Sequence, residues 1–324
     1  MNNIARNVLH SLVIPVFNER DGIAELYERV RALIDRLPDA FEVILVNDGS
    51  RDGSAEVLSE LPQRDKRFKV IHLSRNFGHQ VAITAGLEWS QGDTVTVMDA
   101  DLQDPPEVIE GLIAKWKEGF EVVYAVRRSR EGETKFKLLT AKLFYRLIRK
   151  LTNVDIPLDT GDFRLMDRRA VNALLQLHER HRFIRGMVTW VGFKQVGVPY
   201  DRAKRLHGET HYPFHKMFKF ALDGVTSFSI FPLQIATYFG VLSAVLAFLG
   251  ILYSLYLKFT DQTIHGWTSL MIVVLFLGGA QLLALGILGE YLGRTYDESR
   301  RRPLYFVGRA IGFEEQRLSV DKRL

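Results

Sequence analysis

The chain has 324 residues, 47% hydrophobic and 25% charged, with a formal net charge of +5, so it is globular and long enough for a large α/β domain plus an appendage. It contains no cysteine, which excludes disulfides, thiolate metal sites and a cysteine nucleophile and fits a reducing compartment. The small basic excess suits phosphate-bearing substrates or anionic lipid; no zinc-finger, RRM or helix-turn-helix pattern is present, so nucleic acid is not an expected partner.

The first apolar run, Leu12 to Phe17, is short, contains Pro15 and meets a polar turn at Asn18–Gly22, so it is not a signal peptide and the domain is expected to stay in the cytoplasm. Ser11–Val16 reads as a buried strand. Ile23, Leu26, Tyr27, Val30, Ile34 and Leu37 then recur at helical spacing. Glu42–Val46 is a second strand running into Asn47-Asp48-Gly49-Ser50, and Asp52, Gly53 and Ser54 read as a turn and helix cap. Val70–Leu73 is a third strand, followed by a helix over His79–Trp89. Thr94–Met98 and Glu121–Val126 are the fourth and fifth strands. Strands alternating with helices predict a mostly parallel sheet, whose ligands bind beyond the carboxyl ends of the strands. Asn18, Asp48, Arg75 and Asp99 all follow strand ends and are expected on one rim.

Thr134–Leu151 reads as a helix with one apolar face and several basic residues, either a surface helix packed on the domain or a basic ledge near anionic headgroups. Pro213–Phe228 carries an apolar stripe and reads as an interfacial amphipathic helix. Gly224–Leu257 and Trp267–Gly289 contain no charge, and each is long enough to cross a hydrocarbon layer of roughly 30 Å. Their outer flanks hold Arg202, Lys204, Arg205, Lys216 and Lys219 on one side and Arg294, Arg300, Arg301 and Arg302 on the other. The positive-inside rule therefore puts both termini in the cytoplasm. Arg300–Pro303 should end the second span, and the segment from Leu304 is expected to form a short strand or hairpin.

The fourth strand ends in carboxylates. Asp99 and Asp101 straddle one residue, so in an extended chain they point the same way and can hold a divalent cation through oxygen. Asp104, before Pro105-Pro106-Glu107, reads as a helix start. Asp48 can accept a hydrogen bond from a base or ribose, and Pro15, Asn18 and Glu19 can wall the same pocket.

Ile14-Pro-Val-Phe-Asn-Glu19, Val46-Asn-Asp-Gly-Ser50, Asp99-Ala-Asp-Leu-Gln-Asp-Pro-Pro106 and Gly161-Asp-Phe-Arg-Leu-Met166, in this order, resemble family 2 glycosyltransferases, which have a GT-A fold. With two C-terminal spans the chain is most similar to polyprenyl-phosphate glycosyltransferases, the bacterial undecaprenyl-phosphate glucosyltransferases of the GtrB type, with dolichyl-phosphate mannose synthases as cousins. The resemblance implies that Pro15, Glu19 and Asp48 contact the nucleotide, and Asp99 and Arg75 on the same rim are counted with them as nucleotide-sugar ligands. It implies that Asp99, Asp101 and Gln103 hold Mg2+ or Mn2+ with the diphosphate. Asp162 would lie near the reacting centre as base or sugar ligand, supported by Arg164; a plain structural ion pair is the other reading. Arg202, Arg205, Gly208, Glu209, Thr210 and Tyr212 match the family's loop that closes over the diphosphate or acceptor phosphate, with Arg205 counted among the catalytic groups. His211 stands where the family usually has lysine.

The implied organisation is a cytoplasmic GT-A domain over 1–212, an interfacial helix over 213–228, a two-helix membrane region over 229–293 and a cytoplasmic tail over 294–324. The protein would be integral to the inner or plasma membrane. It would move a hexose with inversion, most simply glucose from UDP-glucose, to undecaprenyl phosphate, with a homo-oligomer such as a tetramer as the implied assembly. The alternatives are the same reaction from UDP-GlcNAc, a UDP-aminoarabinose derivative or GDP-mannose, and a nucleotide-binding membrane scaffold without turnover. A processive polysaccharide synthase is disfavoured because no Arg-Trp pair occurs, and a dehydrogenase because no Gly-x-Gly-x-x-Gly follows a strand.

Overall fold

The computed structural model describes residues 8–128, 160–201, 231–260 and 266–314. They form two units, the first made of 8–128, 160–201 and 302–314 and the second of 231–260 and 266–301. The expected basic helix over 134–151 and interfacial helix over 213–228 lie outside the described residues.

In the first unit, β1 (Leu9–Val16), β2 (Ala40–Asn47), β3 (Phe68–Leu73) and β4 (Thr94–Val97) run parallel in the order β4-β1-β2-β3. Val13, Ile14, Val43, Ile44 and Val46 are fully buried, as continuous apolar strands covered on both faces must be. The connecting helices α1 (Ile23–Arg36) and α2 (Ser54–Arg64) bury one stripe each, whereas α3 (His79–Trp89) is buried nearly all round from Ala82 to Leu87. In α1 that stripe is Ile23, Leu26, Tyr27, Val30, Leu33 and Ile34, the spacing seen in the sequence. Helix α3 comes closest to the sheet. A Cβ on Gly86 would stand 2.2 Å from a Val13 methyl, so only glycine fits there.

The sheet is less uniform than the alternation predicts. After α4 (Val108–Lys117) and β5 (Val122–Arg127), the strand β6 (Thr160–Asp167) inserts between β4 and β5, antiparallel to both. Then α5 (Arg168–Leu175), capped by the Asp167 carboxylate on Arg169 N, and α6 (Ile184–Trp190) lead to β7 (Gln195–Tyr200), parallel to β5. Helix α4 starts at Val108 and not at Asp104. Asp104 is instead buried and accepts a hydrogen bond from the Tyr200 hydroxyl, with Arg127 Nη2 at 3.8 Å, which corrects its reading as a helix start.

In the second unit, α7 (Phe231–Phe259) and α8 (Trp267–Ser299) pack on each other and are long and apolar enough to cross a membrane. Leu242, Leu249, Val273, Phe276 and Leu283 are all more than half exposed, so these are not core helices of the unit, which is consistent with membrane association. Helix α8 is capped at Arg300, where the sequence places its end. The chain then returns to the first unit, where β8 (Val307–Ile311) pairs antiparallel with β3 and completes an eight-stranded sheet. Phe313 packs edge-on against Trp89, and Ser74 N donates to Phe306 O at 2.9 Å.

One buried polar hub ties the sheet's lower edge. Glu42 accepts from Ser11 Oγ at 2.6 Å, Gln91 N at 2.6 Å and Lys69 Nζ at 2.7 Å. Burial works to raise its carboxyl, but Lys69, Ser11 and Gln91 outweigh that and hold it below the ordinary 4.5. Its stabilisation is therefore fully present above pH 4.5 and is lost as pH falls through the lower folded value. Glu42→Ala should cost about 3 kcal/mol, since it strands a partly buried lysine. Glu42→Gln should lower the melting temperature of the detergent-solubilised protein at pH 7 and flatten its fall below pH 4.5 relative to wild type, as followed by circular dichroism.

Candidate active site

The parallel register of β1 to β4 brings the segments after Val16, Asn47, Leu73 and Val97 to one rim, where Asn18, Asp48, Arg75 and Asp99 were expected. Pro15 lies inside β1 opposite Val46, and Glu19 follows in the first loop, its N–H on Ser54 Oγ at 3.2 Å. Asn18 has φ 55°, and its side chain accepts from Arg51 N at 2.8 Å while its N–H reaches Ser50 Oγ at 3.0 Å, which locks the β1 and β2 loops together.

Asp48 is buried, and its two oxygens accept the N–H groups of Phe77 at 2.7 Å and Gly78 at 2.9 Å. Burial pushes its carboxyl up; the two amides work against this. The loop it holds carries Arg75, whose guanidinium lies over the Phe77 ring at 4.1 Å. Gly49 makes the approach possible, since it has φ +68° and a Cβ there would stand 2.5 Å from the backbone of Arg75 and Asn76. A cavity of about 690 Å³ opens beside this contact, lined by Asn47, Gly49, Arg75, His72 and Arg309 among others.

Strand β4 stops at Val97, and the chain turns at Ala100, so strand alternation does not set the Asp99 and Asp101 directions. Asp101 Oδ1 accepts Gln103 N at 3.1 Å, closing a turn through Leu102. Leu102 has φ +54° and is buried, a strained position for a branched side chain, held by its place in the core. Asp99 Oδ1 is buried with no hydrogen bond among the described residues, and burial pushes the carboxyl up to about 6.

The antiparallel insertion of β6 completes the site. Val97 pairs with Arg164, so continuing the register sets Asp162 level with Asp99. His79, first residue of α3, bridges them, with Nε2 3.5 Å from Asp99 Oδ1 and 3.3 Å from Asp162 Oδ2. Asp162 is buried and receives Arg185 through Nε at 2.8 Å and Nη2 at 3.2 Å, and Gln80 Nε2 at 3.2 Å. Burial alone would raise its carboxyl, but Arg185 and His79 outweigh it and hold Asp162 well below the usual range. For His79, burial lowers the imidazole while Asp162 and Asp99 more than reverse this, so the net shift is upward. Arg164 is buried on the same face of β6, donates from Nη2 to Gly161 O at 2.9 Å, and is pulled down to about 10 by burial.

His79, Gln80 and Arg185 were not singled out from the sequence. The first two open a helix directly after a strand-end loop, a position that could have flagged them; Arg185 has no local signal. Arg202, Arg205, Thr210 and Tyr212 lie outside the described residues.

Asp99 and Asp101 fit a hard divalent cation. Both are carboxylates at the rim, and Asp99 Oδ1, with His79 at 3.5 Å but no hydrogen bond among the described residues, keeps lone pairs for an oxygen-seeking cation. Among the described residues no three His, Cys, Asp or Glu side chains converge as a complete cage. Such cations often take one or two carboxylates and complete their shell with substrate phosphates and water.

Residues 11–175 match the Glycosyl transferase family 2 description. The uncharacterized glycosyltransferase YkcC of Bacillus subtilis (strain 168) is 52% identical over 99% of this chain and 100% of that protein. The bactoprenol glucosyl transferase of Shigella phage SfV is 41% identical over 92% of this chain and 97% of that one. Among solved structures, mannosyl-3-phosphoglycerate synthase from Rubrobacter xylanophilus is 21% identical, with a TM-score of 0.47 over 67% of this chain and 72% of that one. The chain belongs to glycosyl transferase family 2. It is a glycosyltransferase with a mixed α/β, GT-A-like fold.

Gly49→Ala should force the Arg75–Gly78 loop off Asp48 and cost about 2 kcal/mol. The expected result is a lower melting temperature, followed by circular dichroism; an unchanged melting temperature would show that the loop accommodates the added methyl.

Proposed function

We propose that the protein transfers a hexose with inversion from a nucleoside diphosphate sugar, most simply UDP-glucose, to undecaprenyl phosphate at the cytoplasmic face of the membrane. The observation that carries this reading is the placement of Asp99 and Asp101 at the rim where four parallel strands end, with Asp99 Oδ1 buried, making no hydrogen bond among the described residues and facing the His79 imidazole at 3.5 Å. The bactoprenol glucosyl transferase relative, alike over nearly its whole length, supports the lipid acceptor. The two apolar helices would place the site at that acceptor's membrane.

Asp48 with the Phe77–Gly78 loop, Pro15, Glu19 and Arg75 would form the nucleotide end of the site. Asp99, Asp101 and Gln103 would hold Mg2+ or Mn2+ against the diphosphate; when bound, the cation neutralises charge developing on the leaving group. The acceptor is already an anion near neutral pH, so deprotonation is a small part of the barrier. The larger task is to bring two phosphate-bearing substrates together, for which Arg202, Arg205, Thr210 and Tyr212 are the proposed ligands. Asp162 suits a fixed anionic partner of the sugar or of Arg185 better than a base, since Arg185, Gln80 and His79 occupy its lone pairs. Direct displacement at the anomeric carbon would convert a UDP-α-sugar to a β-linked lipid. A second copy of the chain is the proposed assembly partner, in a homo-oligomer of up to four.

The solubilised protein, given undecaprenyl phosphate, Mg2+ or Mn2+ and labelled UDP- or GDP-sugars, should move label into the organic phase from one donor, UDP-glucose. EDTA should stop it, and Asp101→Asn should lower turnover about 10²-fold or more with the fold intact by circular dichroism. Nucleotide binding with no transfer from any donor would instead support a scaffold without turnover.

A further inference from the structure

Gln80 is the second residue of α3 and joins three elements through one amide. Its Nε2 donates to Asp162 Oδ2 of β6 at 3.2 Å. Its Oε1 accepts the backbone N–H of Ile184, first residue of α6, at 2.9 Å. Helix α6 has no side-chain cap of its own, so this bond satisfies one of its open first-turn amides from outside. The next residue, Arg185, supplies the fork that grips Asp162. One side chain thus touches the carboxylate and also sets the helix that delivers the carboxylate's arginine.

The geometry over-determines Asp162. Arg185 fixes the plane of the carboxylate, and Gln80 and His79 approach Oδ2 from α3. The start of α6 is packed through buried Phe183 and Ile184, and the Ile184 bond adds a directional tie from the same side chain that touches Asp162.

We propose that Gln80 is a positioning residue: acting through Asp162 and Ile184, it holds the carboxylate level with Asp99 at the reacting centre. This rests on the reading of Asp162 under the proposed function. Displacement of a reacting or aligning group by about 1 Å costs about 10² in rate.

The two halves of the amide can be separated. Gln80→Glu keeps an oxygen for the Ile184 N–H but presents a carboxylate, not an N–H, to Asp162. Gln80→Met removes both bonds at similar volume. Gln80→Glu sets a second carboxylate against Asp162 and should lower the melting temperature by several degrees while keeping the wild-type circular dichroism spectrum. Its kcat should fall about 10²-fold with donor KM changed less than about threefold. An unchanged KM would exclude general repulsion of the diphosphate by the added charge. A crystal structure of Gln80→Glu should show the Asp162 carboxylate turned off the Arg185 fork with the Ile184 bond kept. Gln80→Met should lose both stability and kcat. Wild-type kcat in Gln80→Glu, or Asp162 unmoved in its structure, would overturn the proposal and leave Gln80 a structural tie. If wild type itself moves no sugar to lipid, the transfer reading fails, and the Asp162 position in the Gln80→Glu crystal still decides this one.

Discussion

The buried carboxylate of Asp162 is the contact on which the rest of the site depends. Its neighbours come from four elements: β6 supplies it, α3 brings His79 and Gln80, α6 brings Arg185, and the end of β4 sets Asp99 beside it. A lone carboxylate so buried would be strongly disfavoured; Arg185, His79 and the Gln80 amide make it tolerable. The same contacts that keep Asp162 ionised therefore fix the mutual placement of sheet and helices. Asp48 repeats this logic at the other end of the rim, where two backbone amides hold a carboxylate and, with it, the loop that carries Arg75.

The two carboxylate centres differ in how much freedom they leave. Asp162 is saturated by its own protein, whereas the buried Asp99 Oδ1 has the His79 imidazole at 3.5 Å but no hydrogen bond among the described residues, and the carboxyl is pushed up to about 6. Folding compensates the charge at Asp162 with several donors and at Asp99 with the shared His79 imidazole. An external cation would add to this at Asp99, which is how a site can be preorganised for a charged ligand without collapsing in its absence. The strained backbone at Leu102 sits in the same turn, its side chain anchored in the core, so the loop with Asp101 is set by packing beneath it.

Much of this was legible in the chain. Five strands and the helices α1 and α3 follow from the residues, because strands buried on both faces, the amphipathic stripe of α1 and the apolar run of α3 leave plain patterns. Strand-end positions gave Asp48, Arg75 and Asp99 by topology alone. What could not be read was long-range pairing. Strand β6 was visible as a motif around Asp162 and Arg164, but nothing local says that it inserts antiparallel between β4 and β5, and this register is what sets Asp162 beside Asp99. Strand β7 contains Gly197 and Pro199 and lacks a strong apolar run, so it left little trace. Asp104 was taken for a helix start because Pro-Pro-Glu follows it; burial against Tyr200 overrode that local grammar. Arg185 is a partner of Asp162 only through the fold.

Strand β8 carries a consequence for biosynthesis. It is the last element of the sheet in sequence, and it lies beyond both apolar helices. While the ribosome is still making α7 and α8, the edge of β3 has no antiparallel neighbour, and Phe306 O is not yet there to receive Ser74 N. The catalytic sheet thus reaches its final form only after the second apolar helix has left the ribosome, so a chain that stalls before residue 307 carries an open edge, the kind of surface that quality-control machinery and aggregation both read.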